Sequence, residues 1–135
     1  MADESILRFH NPPTLPASVG YSQVVEARGG RTIYVAGQIG LDTAGQLIGP
    51  GDPQAQARQV FANIGAALAA AGATFRDVVK LTIFVVDIGY LPAIRAARDQ
   101  YVDTARPPAS SAVEVRRLFR DDVLLEIEAI AVVAE

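Results

Sequence analysis

The chain has 135 residues, of which half are hydrophobic and a fifth are charged, and its formal net charge is −3. These values are typical of one globular domain that can bury a core, and they argue against a disordered chain. The basic residues are dispersed, which argues against a surface that binds nucleic acid. The sequence contains no cysteine, so disulfides and thiolate chemistry are excluded.

The termini and the apolar runs give no sign of a membrane segment. The first residues, MADESILRFHNPP, are acidic and lack a long apolar core, so we expect neither a signal peptide nor a membrane anchor. No apolar run approaches membrane-spanning length without a charge or a turn residue. Absence of cysteine is compatible with a reducing compartment, and we predict a cytoplasmic protein without membrane or nucleic-acid partners.

The first third of the chain predicts an arm and then strands. We predict one domain over residues 1–135 with an irregular N-terminal arm at 1–18, because three prolines lie in that arm. The stretches YSQVVEAR (21–28) and TIYVAGQI (32–39) are rich in β-branched residues. A turn signal, Arg-Gly-Gly-Arg, joins them, so a hairpin is predicted. A short strand is expected at 46–48.

The remaining elements alternate between helix and strand. Asp52 and Pro53 predict a helix start, and Gly72 predicts its end. The apolar, β-branched run at 78–88 predicts a strand buried on both faces, and apolar spacing predicts a second helix at 91–104. Two further strands are predicted, at 110–115 and 123–133.

This order of elements predicts an α+β fold. We expect a mixed, mostly antiparallel sheet with both helices packed on one face. Only two helices are available, so the other sheet face needs another cover. The strands predicted at 78–88 and 123–133 are apolar on both sides, which favours self-association into a dimer or trimer as that cover.

Two carboxylates interrupt the apolar stretch VLLEIEAIAVVAE at 123–135. Side chains two apart share a face of a strand, so Glu126 and Glu128 point to the same side. An unpaired carboxylate is costly to bury, so that face must offer water, a partner charge or a ligand. One interpretation is a general acid or base with a raised pKa. The other is an arginine-paired carboxylate beside a solvated one, which the residues alone favour.

Other patterns are weaker as functional motifs. His10 is the only histidine and cannot anchor an ordinary zinc site alone, so we expect it to be solvated and expect no metal. Residues 37–40, Gly-Gln-Ile-Gly, match neither a phosphate loop nor a dinucleotide fingerprint. Tyr21 could face a cleft, although a lone aromatic is more often packing. Arg116 and Arg117 could hold an anion, although such a pair is more often a solvated rim.

Five separated stretches, taken together, resemble one known family. They are GYSQVVEA (20–27), IYVAGQIGLD (33–42), QARQVFANIGAALAAAGATFRDVVKLTIFVVDI (56–88), RPPASSAVEV (106–115) and LEIEAIAV (125–132). In this order they resemble the RidA family, also called YjgF or liver perchloric-acid-soluble protein. The resemblance covers nearly the whole chain from about Val19 to Val132.

The resemblance implies a fold, an assembly and a chemistry. It implies a chorismate-mutase-like fold and a homotrimer whose sheets pack into a central barrel, with clefts for a small-molecule ligand between adjacent subunits. It also implies hydrolysis of reactive imines and enamines to keto acids and ammonia, with no metal and no cofactor. In that family an arginine clamps the substrate carboxylate through a bidentate pair, and a glutamate positions or activates water.

Four positions match the family pattern. Glu126 matches the glutamate that handles water, and it is the candidate catalytic residue. Tyr21 matches a tyrosine that lines the cleft. Gly37 and Ala112 match positions whose main chain faces the ligand.

Three positions that the resemblance assigns to the same substrate site depart from the pattern. Ser110 stands where the family has the clamping arginine before Ser-x-Val-Glu-Val. Ala36 replaces a pocket serine, and Gly89 replaces an asparagine. Loss of a bidentate ion pair costs on the order of a few kcal/mol of substrate binding. The departures therefore predict a roomier, less cationic pocket that suits a neutral or larger substrate.

Several functions stay open from the sequence. The leading hypothesis is a hydrolase or tautomerase of imines, enamines or related carbonyl derivatives that uses Glu126. A close variant is deamination of 2-imino acids with Arg106, Arg116 or Arg117 in place of the clamp. An alternative is a trimer that binds a small metabolite without chemistry. Ribonuclease activity or translation inhibition is also attached to the family. The negative net charge of this chain gives that function little support, because an RNA-binding surface is usually basic.

Overall fold

Local sequence signals set the beginning and end of most helices and strands. The computed structural model describes residues 5–135. Within that range no helix combines the length and the apolar character needed to cross a membrane. The elements are β1 (Leu7–His10), β2 (Val24–Ala27), β3 (Arg31–Gln38), α1 (Pro53–Ala70), β4 (Val78–Val85), α2 (Leu91–Arg98), β5 (Ala109–Glu114) and β6 (Leu125–Val133).

The strands form one four-stranded sheet and one two-stranded ribbon. The larger sheet has the order β3-β6-β4-β5, and β1 pairs with β2 in the ribbon. Only the β4–β5 pair is parallel, with α2 in the crossover between them, and the other pairs are antiparallel. The predicted α+β class, with a mixed and mostly antiparallel sheet, is therefore confirmed.

Helix α1 forms where the capping residues predict it. The Asp52 carboxylate accepts hydrogen bonds from the amides of Gln54 and Ala55, each at 3.1 Å. These contacts satisfy two of the amides that a helix start leaves without partners. The helix ends at Ala70, two residues before Gly72, as predicted. Its fully buried apolar face consists of Ala57, Val60, Phe61, Ile64 and Leu68.

The core lies between α1, α2 and one face of the sheet. The alternation predicted for the last strand is confirmed, because every second side chain of β6 is buried: Leu125, Ile127, Ala129 and Ala131. The opposite face carries Glu126, Glu128 and, on β3, Tyr34, which is 76% exposed. Residues 5–135 thus leave one face of the sheet without a cover.

Two expectations for the N-terminal third were wrong. Residues 7–10 lie in the predicted irregular arm but form β1, because the prolines all follow this alternating segment. The predicted hairpin between 21–28 and 32–39 does not form. Strand β2 pairs with β1, and β3 pairs with β6 instead. Local patterns predict strands, but the choice of partner depends on contacts distant in sequence.

Other boundaries also shift. Residues 46–48 form no strand, and only an isolated bridge links Leu41 to Leu47. Strand β4 ends at Val85, because residues 88–90 turn into a short 3₁₀ helix. Helix α2 ends at Arg98 rather than at 104. Among the predicted inward residues, Leu91, Ile94 and Ala97 lie in the helix, and Tyr101 and Val102 follow it.

Candidate functional site

Ser22 fixes the segment before β2 against the edge of the larger sheet. Its side chain is buried, and its hydroxyl donates a 2.5 Å hydrogen bond to the Pro107 carbonyl. Its amide donates to the Pro108 carbonyl at 3.1 Å, and Ser22 forms a parallel bridge with Ala109. These contacts hold the neighbouring Tyr21 beside the start of β5.

Two of the predicted ligand positions lie on β5 and face the helix side of the sheet. Ser110 is paired with Leu81 and Ala112 with Ile83, and both β4 partners are buried in the core. Paired residues of neighbouring strands share a face, so Ser110 and Ala112 belong to the face that packs on the helices.

A cleft of about 280 Å³ brings three predicted residues together. Tyr21, Ser110 and Ala112 all line it. Its apolar wall consists of Val19, Ile83 and Leu91. This cleft, here named the β5 cleft, is a setting in which polar groups can orient a small ligand against an apolar wall.

Two arginines of α2 also line the β5 cleft, and the sequence analysis missed both. Arg95 is exposed, whereas Arg98 is only 5% exposed. Arg98 Nε donates a 2.9 Å hydrogen bond to Asp99 Oδ1, and Arg98 Nη2 lies 2.9 Å from the same oxygen. A signal was available: Arg98 lies four residues after Ile94, on the apolar stripe of the helix.

Glu126 lies on the opposite face of the sheet. It pairs with Phe84 across the strands and is half-buried. Within residues 5–135, neither Glu126 nor Glu128 has an ion pair or a side-chain hydrogen bond, so the arginine partner of the sequence interpretation is not found there. A Cβ atom at Gly37 would collide with the Glu126 carboxylate. Glycine at 37 therefore makes room for this carboxylate.

The other two predicted residues lie outside the β5 cleft. Ala36 is exposed next to Gly37, at a bulge in the pairing of β3 with β6. Gly89 lies in the 3₁₀ turn after β4, where its amide donates a 2.8 Å hydrogen bond to Asp87 Oδ1. Within one chain, the seven predicted residues therefore fall into three places. Three line the β5 cleft, three lie at or next to Glu126 on β3 and β6, and Gly89 lies apart from both groups.

Comparison with known proteins identifies the family. The family model described as "Endoribonuclease L-PSP" matches residues 12–133. A RutC family protein from Synechocystis is 45% identical over 87% of this chain and 89% of its own length. The chain belongs to the RidA/YjgF family. A Capra hircus relative, named 2-iminobutanoate/2-iminopropanoate deaminase, is 42% identical over 94% of this chain and 90% of its own length.

Structural comparison agrees with this family assignment. A Rid-family protein of unknown function from Yersinia pestis has a TM-score of 0.84 and 39% sequence identity. The match covers 95% of this chain and 99% of that chain. Several relatives are named 2-iminobutanoate/2-iminopropanoate deaminase, so the family is imine-deaminase-like.

The three arginines considered as replacements for the RidA-type clamp lie elsewhere. Arg106 stacks over the Phe9 ring at 4.5 Å and donates to the Leu7 carbonyl at 3.4 Å. Arg117 pairs with Asp121 at 2.7 Å. Arg116 and Arg117 line a separate cavity of about 370 Å³. None of the three lines the β5 cleft.

His10 and Glu26 form a polar pair on the β1–β2 ribbon. His10 is partly exposed, as predicted, and its Nε2 lies 2.9 Å from Glu26 Oε1. This contact, followed by that of Arg28, holds the pKa of Glu26 below its ordinary 4.5.

Two larger cavities, about 470 and 490 Å³, lie along β1, and none of the predicted site residues lines them. Among residues 5–135, no cluster of three or more His, Asp or Glu side chains could hold a metal.

Proposed function

We propose that this chain forms a cytoplasmic homotrimer that hydrolyses imines or enamines of small metabolites without a metal or cofactor, with Glu126 as the group that activates water. The observation that carries the proposal is the setting of Glu126. Its carboxylate is half-buried, has no cationic partner within residues 5–135, and occupies room that Gly37 provides. The similarity to named imine deaminases supports the reaction class.

The proposed reaction needs one group that moves protons. Water adds to the carbon of the C=N bond while the Glu126 carboxylate accepts one of its protons. Glu126 delivers that proton to the nitrogen, which gives a carbinolamine. Glu126 then moves the hydroxyl proton to the amine, which leaves as ammonia while the C=O bond forms. An enamine first takes a proton on carbon and loses one from nitrogen to give the imine. Glu126 can return the proton it accepted, so no net acid or base is consumed within the site.

A trimer would unite groups that one chain holds apart. Glu126 lies on the uncovered sheet face, whereas Tyr21 and Ser110 lie on the helix side of the edge strand. We propose a chorismate-mutase-like trimer in which the uncovered faces form a central barrel. Glu126 of one copy would then approach the β5 cleft of the next. Exposed Tyr34 on the uncovered face supports this arrangement.

A coupled assay tests the proposed activity. An amino-acid oxidase generates imines in place, and keto-acid release is followed with the wild type, Glu126→Gln and Glu128→Gln. Removing a general base typically costs about 10²- to 10⁴-fold in rate. We expect that loss for Glu126→Gln and near wild-type rates for Glu128→Gln, whose carboxylate lies exposed on the same strand.

Either of two results would contradict the proposal. Equal rates in the wild type and Glu126→Gln would exclude Glu126 as the base. No acceleration by the wild type across small and large imines would exclude the hydrolase. In the second case, ligand-dependent stabilisation of the trimer would favour the non-catalytic binding protein instead.

A further inference from the structure

We propose that Arg98 is the anion-binding residue of the β5 cleft, so that this chain takes small substrates with a carboxylate group. This inference rests on the proposed function and names its substrate class. It replaces the expectation from Ser110 of a neutral ligand. Position 110 carries no charge, but the cleft that Ser110 lines has a cation from another element.

Arg98 is a buried charge with only part of its binding capacity used. No fully buried side-chain nitrogen among residues 5–135 lacks a hydrogen-bond partner, so any guanidinium nitrogen without an acceptor reaches solvent. Arg98 has five N–H donors, and within residues 5–135 its side-chain contacts go to one oxygen of Asp99. Nε and Nη2 make those contacts, so Nη1 has no acceptor among the described residues. Asp99 itself is half exposed, and water weakens its hold on the arginine.

The other groups of the cleft also favour an anion. Arg95 lies at the same cleft, and Tyr21 and Ser110 bring hydroxyl groups that can donate hydrogen bonds. Among residues 5–135, no Asp or Glu lines the cleft. Ile83 and Leu91 form apolar walls, which strengthen a charge-assisted hydrogen bond by limiting water. The cleft, about 280 Å³, suits a ligand smaller than a drug-sized molecule.

Gly20 lies close to the guanidinium of Arg98. A Cβ at this position would lie 2.7 Å from Arg98 Nη2, so a larger residue there would make the end of the arginine side chain shift. Gly20 also has a φ of +79°, a conformation that glycine adopts without strain. Ser22 anchors the same segment to β5, and Asp99 holds Arg98, so both sides of this part of the cleft are positioned before a ligand arrives. Such preorganisation lowers the cost of binding.

The test compares two product-like probes of nearly equal shape. Pyruvate carries a carboxylate, and pyruvamide is its neutral isostere. Their affinities are measured by calorimetry or ligand-observed NMR on the assembled wild-type protein and on Arg98→Met, Arg98→Lys and Arg95→Met. Arg58→Met is the matched control, because Arg58 is exposed on α1 and does not line the cleft.

We expect the wild type to bind pyruvate more tightly than pyruvamide. Arg98→Met should weaken pyruvate about 10- to 100-fold and leave pyruvamide nearly unchanged, because only pyruvate loses a charge-assisted pair. Arg98→Lys should retain part of the preference, and Arg95→Met should cost a few-fold. If Arg98→Met fails to fold, Arg98→Lys and Gly20→Ala, which displaces the guanidinium, carry the same comparison.

The inference is overturned if the wild type binds pyruvate no better than pyruvamide, or if the Arg98 variants weaken both probes equally. Its failure is distinct from failure of the proposed function. Preferential pyruvate binding that depends on Arg98, together with no turnover of any imine, would uphold the anion site and exclude the hydrolase. Turnover of neutral imines that depends on Glu126 but not on Arg98 would do the reverse.

Discussion

The two faces of the four-stranded sheet hold their polar groups in different ways. On the helix side, Arg98 is buried and bonded to Asp99 of the same chain. On the other side, Glu126 and Glu128 have no bonded partner within residues 5–135. Tyr34 on that face is largely exposed.

This difference indicates which parts of the site one chain can complete alone. The β5 cleft is assembled by contacts within the chain, so its geometry follows from folding. The surroundings of Glu126 are left open, and on our proposal they are completed only by another copy. Changes on the open face should therefore act on assembly and turnover, whereas changes at the cleft should act on ligand binding and stability.

The largest effect, on both assembly and turnover, is expected from a charge introduced on the uncovered face of the sheet. Tyr34→Asp would place a carboxylate where neighbouring copies pack in the proposed barrel, and an unpaired buried charge is strongly unfavourable. We expect monomers and complete loss of turnover, with secondary structure retained. Sedimentation velocity, circular dichroism and the coupled assay measure these properties. Ala62→Glu, on the exposed side of α1, is the control and should remain assembled.

A trimeric Tyr34→Asp variant would show that this face is not the interface.

The next effect is expected at Gly37. Gly37→Ala would add a Cβ that collides with the Glu126 carboxylate, so the carboxylate must move. Misplacing a catalytic group by about 1 Å can cost roughly 10²-fold in rate. We expect a loss of that order in kcat with assembly intact, measured by the coupled assay and by sedimentation.

A double variant separates this effect from a general disturbance. If Gly37 acts only through Glu126, Gly37→Ala should add little to the loss in Glu126→Gln. Independent, multiplying losses would mean that Gly37 has a separate role.

A smaller effect, on stability, is expected at Ser22, which anchors the segment before β2 to β5. Ser22→Ala removes the hydrogen bond to the Pro107 carbonyl, and losing one partner of a buried pair costs about 1–3 kcal/mol. Denaturant unfolding at fixed protein concentration should show a free energy of unfolding lower by this amount. Ser18→Ala removes a more exposed hydrogen bond to Asn11 and should cost less. Equal losses would contradict a special role for Ser22.

The smallest effect is expected in the β1–β2 ribbon and depends on pH. Because the pKa of Glu26 is lowered in the folded chain, its contribution to stability is present above the unfolded pKa and lost as pH falls. The ordinary value is 4.5, so the loss should begin below that pH. Glu26→Gln should therefore be slightly less stable than the wild type at pH 6, and the difference should shrink as the pH falls below 4.5. A difference that grows on acidification would reverse the assigned sign.

Features with a local cause were predictable from the sequence. Asp52, Pro53 and Gly72 mark the ends of α1 through capping, and the alternation of β6 follows from the two faces of a strand. Membership of the family followed from five ordered motifs. The assignments of Glu126 and Ser110 to one site remain predictions.

Features set by distant contacts were not predictable in the same way. The hairpin prediction failed because β2 pairs with β1, and no turn motif in the sequence indicates that pairing. Arg98 was missed because arginines are mostly exposed, and only the packed fold shows that this one lies beneath Gly20. Its place on the apolar stripe of α2 was visible in the spacing, but its neighbours were not.

The order of strands in the larger sheet has a consequence for how the chain folds. The strand that comes last along the described chain, β6, lies between β3 and β4. During synthesis, β3 and β4 are made before β6, so for a time the nascent chain lacks the strand that joins them. The sheet therefore closes in one late step, when nearly the whole domain has emerged. Until then both strands expose backbone edges that invite wrong pairing.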